Sequence, residues 1–516
     1  MSAIRAVIVV ASAALASSIS GCATVRHPEG RVEADVRFLA DDLLEGRVTP
    51  SRGLDVAALY LANQLRAAGW EPGNNGSYLQ SFEVGVFDPA AAEYRVSING
   101  FPISRDKYLL LLTGLRPEQT PVEFDLVFAG FGVSVPEEGV DDFEDLEVAG
   151  KAVVAFLGAP WDLDPHVIHA PDHGIGKAVQ IAARNGAMLV YVSDEISDPP
   201  PATPSAEFGL IAAYANLPLA HLIEDPRTSA IPPILVIGPA EFDRVLAEAA
   251  GGTYEELVAR LAQGQAVAKD LSASVRIEID VETSRHSTSN VIGVLPGTDA
   301  AIQAEWVILT AHYDHIGVRP APPGEDGIYN GADDNASGTA AVLEVARRLG
   351  TAGPMKRSVM VAFLSGEDMG LLGSAYYAAH PLAPLGQTVV DINVDMVGRS
   401  EGTAQALAPG CDALFQKAVE LGETAGLTII PDQQPTWRLN YFFDSYHFAR
   451  NDAPLISIFT ALHDDYNQPS DEADKIRFHE LEKIVGMLTD LAVVYAGGAE
   501  KPEYQRPEWF LTPAWR

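Results

Sequence analysis

The sequence predicts an α/β fold: a mixed, largely parallel central sheet with helices on both faces, plus a smaller inserted α/β unit. Three observations carry this expectation. Short apolar runs bounded by Gly, Pro or Asp recur from Val122 onward, as buried strands do. Segments of helical period alternate with them, which favours a parallel or mixed sheet covered on both faces. The chain has 516 residues, 47% of them hydrophobic, enough for a large core and a second unit.

Composition narrows the function. Acidic residues number 70 and basic residues 35, a formal net charge of −35. Phosphate backbones need a basic surface, so no nucleic-acid partner is expected. Charge-driven binding to an anionic membrane is unexpected for the same reason. With only Cys22 and Cys411, neither a disulfide framework nor a Cys-based structural zinc site is available.

The elements follow in order. Arg5 precedes an apolar or small stretch from Ala6 to Ile19, too short for a membrane span of about 20 residues but suited to an export signal. Ile19-Ser20-Gly21-Cys22 resembles a bacterial lipobox. Residues 1–21 are therefore expected to be a lipoprotein signal peptide and 22–30 a tether, with lipid on Cys22 as the membrane attachment. Ala23, where Asp is absent, points to the outer membrane, facing the periplasm. Residues 31–120 open the main domain. Helical spacing in Val32 to Ala68 is broken by Thr49-Pro50-Ser51-Arg52-Gly53 and closed by Gly69. Strand-like alternation follows at Tyr78 to Phe87 and Tyr94 to Ile98. Residues 121–272 hold the runs Leu126 to Gly132, Ala152 to Leu157, Met188 to Val192 and Ile234 to Ile237, with a helix-like Lys177 to Asn185 between two of them. Residues 273–500 complete the main domain, and 501–516 form a tail.

Four apolar runs end in residues of metal-ligand type. Trp306 to Ala311 leads into His312-Tyr313-Asp314-His315. Val359 to Leu364 leads into Gly366-Glu367-Asp368. Thr388 to Val394 leads into Asp395. Leu455 to Phe459 leads toward His463, Tyr466 and Asn467. Between the first two lies Asn330-Gly331-Ala332-Asp333-Asp334-Asn335-Ala336-Ser337-Gly338, which opens a helix. Alone, this segment reads equally well as a helix cap, with Asp333 or Asn335 accepting backbone N–H bonds. Open α/β sheets bind ligands beyond the carboxyl ends of their strands. Several carboxylates gathered there need cations to neutralise them. His and carboxylate donors without thiols suit zinc, and manganese or cobalt less well. A carboxylate-rich set also suits a metal pair bridged by one Asp.

The series AHYDH, GADDNASG, GEDMGLLGS, NVDMVG and ALHDDYNQPSDEADKI resembles the co-catalytic di-zinc aminopeptidase family, which also contains glutamate carboxypeptidase II and glutaminyl cyclase. The resemblance covers residues 306 to 476, and extends more weakly to LADDLLEGR near the N-terminus. It implies a zinc-exopeptidase type of sheet and two Zn2+ per chain. His312 and Asp395 would hold one ion, Asp334 would bridge, and Asp368, at a position where Glu is frequent, would bind the other. Asp333 matches a neighbour that does not bind. Asp314 would steady His312, and Glu367 would be the general base. Tyr466 precedes the last ligand position, where some members place a Tyr that steadies an oxyanion. The last ligand of the family is usually His, but Asn467 stands there, so Asn467 or His463 is expected to complete the set, with His447 a more remote substitute. His315 is expected to line the cleft or to steady a ligand from behind rather than to bind metal. The order of parts in 121–272 resembles a protease-associated domain, an insertion common in this family.

The implied activity is metal-assisted hydrolysis of N-terminal residues from peptides with a free N-terminus. Two rivals stay open. One is carboxypeptidase or glutaminyl-cyclase action on the same fold, with Arg319, Arg399 or Arg438 supplying a basic pocket. The other is a lipid-tethered binding protein with a dead peptidase domain. His166, His169 and His173 have metal-like spacing but read as a solvated loop, because no carboxylate framework converges on them.

Overall fold

The computed structural model describes residues 30–113, 115–135, 140–158, 177–178, 181–182, 184–197, 219–223, 232–265, 267–433 and 439–507. The signal and lipid reading at Cys22, the loop of His166, His169 and His173, and the residues beyond 507 lie outside the described residues. Among the described residues, no helix is long and apolar enough to cross a membrane.

The N-terminal helical stretch forms two helices, Arg31–Leu39 and Arg52–Ala67. In the second, Leu54, Ala57, Ala58, Leu61 and Leu65 recur at helical spacing and are buried. The hydroxyl of Ser51 caps it by accepting the Leu54 N–H.

Among the described residues, ten strands form the main sheet. Its order is Leu219–Leu222, Leu79–Phe87, Ser284–Leu295, Ser358–Leu364, Trp306–His312, Thr388–Val394, Leu455–Phe459, Thr403–Leu407 and Thr428–Pro431, with Glu71–Pro72 paired beside Ser284–Leu295. The four strands from Ser358–Leu364 to Leu455–Phe459 run parallel. The strands on their two sides join them antiparallel. The parallel part is thus the centre, and all four ligand-bearing runs belong to it. Their carboxyl ends share one edge, which follows from the parallel register rather than from any single motif. Alternation splits each strand between two cores. Val307, Leu309 and Ala311 face a core shared with the helices Arg31–Leu39, Arg52–Ala67, Gly338–Ala352 and Phe478–Ala496. Ile308, Met360 and Ala362 face the opposite core with Tyr377 and Phe448.

A second sheet has the order Phe101–Ile103, Glu93–Ile98, Lys269–Asp280, Val122–Phe128, Ala152–Phe156, Met188–Val192, Ile234–Ile237 and Tyr108–Leu111. The sequence boundaries at 121 and 272 cut through it. Strands at 93–111 join it, and Lys269–Asp280 crosses 272 to pair with both Glu93–Ile98 and Val122–Phe128. The reason is pairing: those stretches are amphipathic strands that need partners, and local pattern does not say which sheet supplies them. The second sheet leaves the first between Leu79–Phe87 and Ser284–Leu295, which are themselves antiparallel neighbours. Leu219–Leu222 returns from the inserted stretch to pair with Leu79–Phe87.

Two buried charged residues mark this framework. Arg47 is 1% exposed. Its guanidinium donates to the carbonyls of Tyr313 at 2.9 Å, Asn330 at 2.8 Å and Gly331 at 3.1 Å, and also to that of Leu39. It therefore ties the N-terminal helices to the two loops that carry His312 and Asp334. Asp391, in the middle of Thr388–Val394, is fully buried. One oxygen accepts from Thr310 at 3.0 Å and the other has no hydrogen-bond partner. Burial pushes this carboxyl up to about 8.

Both generate predictions. Replacing Arg47 by Met leaves several buried carbonyls without donors, at roughly 1–3 kcal/mol each. A denaturant titration should show a loss of about 3 kcal/mol or more. For Asp391 the sign is fixed by its raised pKa: the folded state holds the proton that the unfolded state releases, so stability falls as pH rises. Relative to Asp391→Asn, the wild-type protein should lose on the order of 1 kcal/mol per pH unit. The window runs from the ordinary Asp value of ~4 to about 8. Parallel stability curves for the two proteins would contradict a neutral Asp391.

Candidate metal centre

The site grows from the strand ends. His312 is the last residue of Trp306–His312, and Thr339 of the adjoining helix donates to its carbonyl at 2.6 Å. The ring is 2% exposed. Its Nε2 lies 3.2 Å from Asp334 Oδ1 and 3.4 Å from Asp395 Oδ1. Its Nδ1 lies 3.8 Å from Asp314 Oδ1. Asp314 is anchored in turn by the Thr49 hydroxyl at 3.1 Å and the Glu367 backbone N–H at 3.3 Å.

Asp334 is held by a tight local network. Asp471 Oδ2 accepts the backbone N–H groups of Asp333 and Asp334, at 2.8 and 3.1 Å. Arg399 holds the other Asp471 oxygen at 2.9 Å. Asn335 Oδ1 accepts from Gly338 at 2.9 Å and Met396 at 3.2 Å, joining the helix start to the loop of Asp395. The helix-cap reading of GADDNASG therefore holds for Asn335, and the same turn presents Asp334 to the site.

Three groups of side chains lie close enough to hold a metal ion: His312, Asp334 and Asp395; His312, Glu367 and Asp368; and His315, Asp334 and Asp368. His315, expected to line the cleft or steady a ligand, also stands in the third of these groups. It is fully buried, with Nδ1 3.0 Å from Asp368 Oδ2 and 3.7 Å from Asp334 Oδ2. The signal that could have found it is the HYDH spacing, where a second imidazole leaves the same strand end.

The other expected residues are placed differently. His463 Nε2 lies 3.1 Å from Asp333 Oδ2, and His463 is in none of the three groups. Asn467 sits in the left-handed backbone region, φ 55°, which Asn tolerates better than most residues. Tyr466 packs against the cluster of Met396, Leu407, Leu439, Phe443 and Phe459. Arg47 and Asp444 are buried neighbours of the site that the sequence reading passed over.

The electrostatics favour added positive charge. Burial, with neighbouring carboxylates, raises the carboxyls of Glu367, Asp334 and Asp395, and Asp368 rises to about 7. For His312 burial acts downward, but Asp395, Glu367, Asp314 and Asp334 outweigh it and raise the ring well above its ordinary value. For His315 burial dominates and pushes the ring down to about 4, with Arg47 adding to the effect. The donor set fits a metal. His312 Nε2, His315 Nε2 and Asp395 Oδ1 are buried without a hydrogen-bond partner. At His312, two carboxylate oxygens lie close without the alignment of a hydrogen bond. This cluster of imidazoles and carboxylates is able to bind a metal ion.

The chain is similar to known peptidases. Residues 290–492 match the model of peptidase family M28. Aminopeptidase YwaD of Bacillus subtilis strain 168 is 32% identical over 145 residues, which is 28% of this chain and 29% of that protein. The probable lipoprotein aminopeptidase LpqL of Mycobacterium tuberculosis is 33% identical over 106 residues, 20% of this chain and 19% of that protein. The chain thus aligns with less than a third of the length of either relative. The aminopeptidase structure from Aneurinibacillus sp. strain AM-1 superposes with a TM-score of 0.49 at 17% identity, covering 92% of this chain and 95% of that one. The segment 290–492, which carries every ligand group of the cluster, is thus the part of the chain that resembles peptidase family M28.

Proposed function

We propose that the protein is a metal-dependent exopeptidase that removes N-terminal residues from peptides, with two zinc ions at the strand ends and Glu367 as general base. The observation that carries this reading is the orientation of Asp334. Its Oδ1 faces His312 and its Oδ2 faces His315, so one carboxylate serves two donor groups. His312, Asp334 and Asp395 would hold one ion; Asp334 and Asp368 would share the other. Bound zinc supplies an acidified water and a polarised carbonyl.

The chain's own residues do the rest. Glu367, half-buried beside His312, takes the proton of the attacking water and delivers it to the leaving amine nitrogen. Asp314 steadies the His312 ring. Tyr466 is the proposed oxyanion partner. The surplus of carboxylates favours a cationic α-amine over a substrate carboxylate. Arg399 is committed to Asp465 and Asp471, at 3.2 and 2.9 Å, which weighs against a carboxypeptidase pocket built on it.

The second sheet is proposed as the protease-associated insertion. Lipid on Cys22 is proposed to tether the exported protein on the periplasmic side of the outer membrane; similarity to LpqL, a probable lipoprotein aminopeptidase, supports the lipoprotein part of this reading.

Three outcomes test the catalytic reading. Glu367→Gln should retain its metal by mass spectrometry while aminoacyl-nitroanilide turnover falls by about 10²–10⁴; wild-type turnover would remove Glu367 from the reaction. Chelation should abolish hydrolysis and lower the thermal midpoint, and zinc should restore both. N-acetylated peptides should resist cleavage, and their rapid hydrolysis would contradict an aminopeptidase.

A further inference from the structure

The resemblance leaves the second metal position one imidazole short, because residue 467 is Asn. We propose that His315 is the missing ligand, so that the imidazole reaches the second metal from the loop after Trp306–His312 instead of from the loop that holds residue 467. This rests on the di-metal reading above.

Four observations carry it. First, the two imidazoles stand at similar distances from pairs of carboxylates, although His315 Nδ1 is hydrogen-bonded to Asp368 and His312 Nε2 has no hydrogen-bond partner. His312 Nε2 stands 3.2 and 3.4 Å from Asp334 Oδ1 and Asp395 Oδ1. His315 Nδ1 stands 3.0 and 3.7 Å from Asp368 Oδ2 and Asp334 Oδ2. Each ring nitrogen thus faces one bridging and one terminal carboxylate, and Asp334 contributes a different oxygen to each. Second, His315 is not buried in order to tie down backbone: its Nε2 is buried with no hydrogen-bond partner. Third, the fold makes room for this ring. Gly331 has φ +57°, and a Cβ there would lie 2.1 Å from the Asp334 carbonyl oxygen and 2.5 and 2.6 Å from His315 Cδ2 and Cγ. No side chain is compatible with both that backbone and the ring in place. Fourth, the nearer of the two alternative imidazoles is engaged elsewhere, since His463 Nε2 faces Asp333 Oδ2 at 3.1 Å.

The rival role for His315 is a hydrogen bond that only steadies Asp368. The two roles separate by spectroscopy. The mature protein carrying His463→Ala is loaded with cobalt(II), and its far-shifted exchangeable proton signals are recorded. An imidazole bound to cobalt shows such an N–H; a steadying imidazole does not. Two signals are expected, one each from His312 and His315, and one should vanish in the same protein carrying His315→Asn. A single signal before that substitution overturns the proposal without needing the His315 variant to fold, and so do two signals that both survive it. Metal titration distinguishes the parent reading. If the wild-type protein takes up only one cobalt per chain, the di-metal reading itself fails. If it takes up two and only one imidazole signal is seen, the di-metal reading stands and His315 is not a ligand. With His315 as ligand, the second metal should weaken on the order of 100-fold or more in His315→Asn, and Asn467→Ala should leave it unchanged.

Discussion

Crowded negative charge is the constraint on which the rest of the structure depends. Asp314, Asp334, Asp368, Asp395, Asp444 and Asp471 are gathered at one edge of four parallel strands, with Glu367 beside them. In a low-dielectric interior such a set is stable only if protons, cations or donated hydrogen bonds offset it. The structure supplies all three in different places. Asp471 and Asp333 are satisfied by backbone N–H groups. Arg47 and Arg399 bring positive charge from beneath and beside the cluster. The oxygens that remain, on Asp334, Asp368 and Asp395, are the ones that point at imidazole nitrogens. Asp314, Asp333 and Asp471 hold donated hydrogen bonds, whereas Asp395 Oδ1 and both oxygens of Asp444 have no hydrogen-bond partner.

Arg47 shows what this arrangement costs. Glu45, Gly46 and Arg47 lie consecutively in the left-handed region, with φ of 49°, 62° and 52°. Each non-glycine residue there costs roughly 1–2 kcal/mol. The strain is held because it turns the Arg47 side chain inward to four carbonyls on three segments. Backbone strain at the chain's N-terminal end thus fixes the spacing between the HYDH and GADDN loops, far along the sequence.

The sequence made much of this legible, for a physical reason. A buried parallel strand must be a short apolar run, and its carboxyl end must carry whatever chemistry the sheet performs. Runs ending at His312, Glu367 and Asp395 were therefore readable as one site. The second sheet was less readable. Glu93–Ile98 and Lys269–Asp280 are correctly strand-like, but which sheet they join depends on partners nearly two hundred residues apart. Arg47 escaped notice because a buried arginine looks like a surface one when its acceptors are backbone carbonyls, which no side-chain pattern reveals. His315 was read as a cleft or supporting residue for a related reason: in HYDH, one imidazole and one carboxylate already satisfy the motif.

A metal position is defined by where donor atoms converge, not by which loop sends them. Asp334 and Asp368 fix two corners of the second position, and they are fixed by the sheet and by Asp471. The third donor can then arrive from any segment that borders those corners. The loop after Trp306–His312 borders them directly, and the Gly331 turn leaves space for a ring. Residue 467 lies in a left-handed turn that suits Asn. Once an imidazole enters from the first loop, selection on residue 467 for metal binding is relaxed and its backbone preference decides the residue. Loss of a motif histidine is then compatible with an intact centre, and Asn467 by itself is no argument for a dead enzyme.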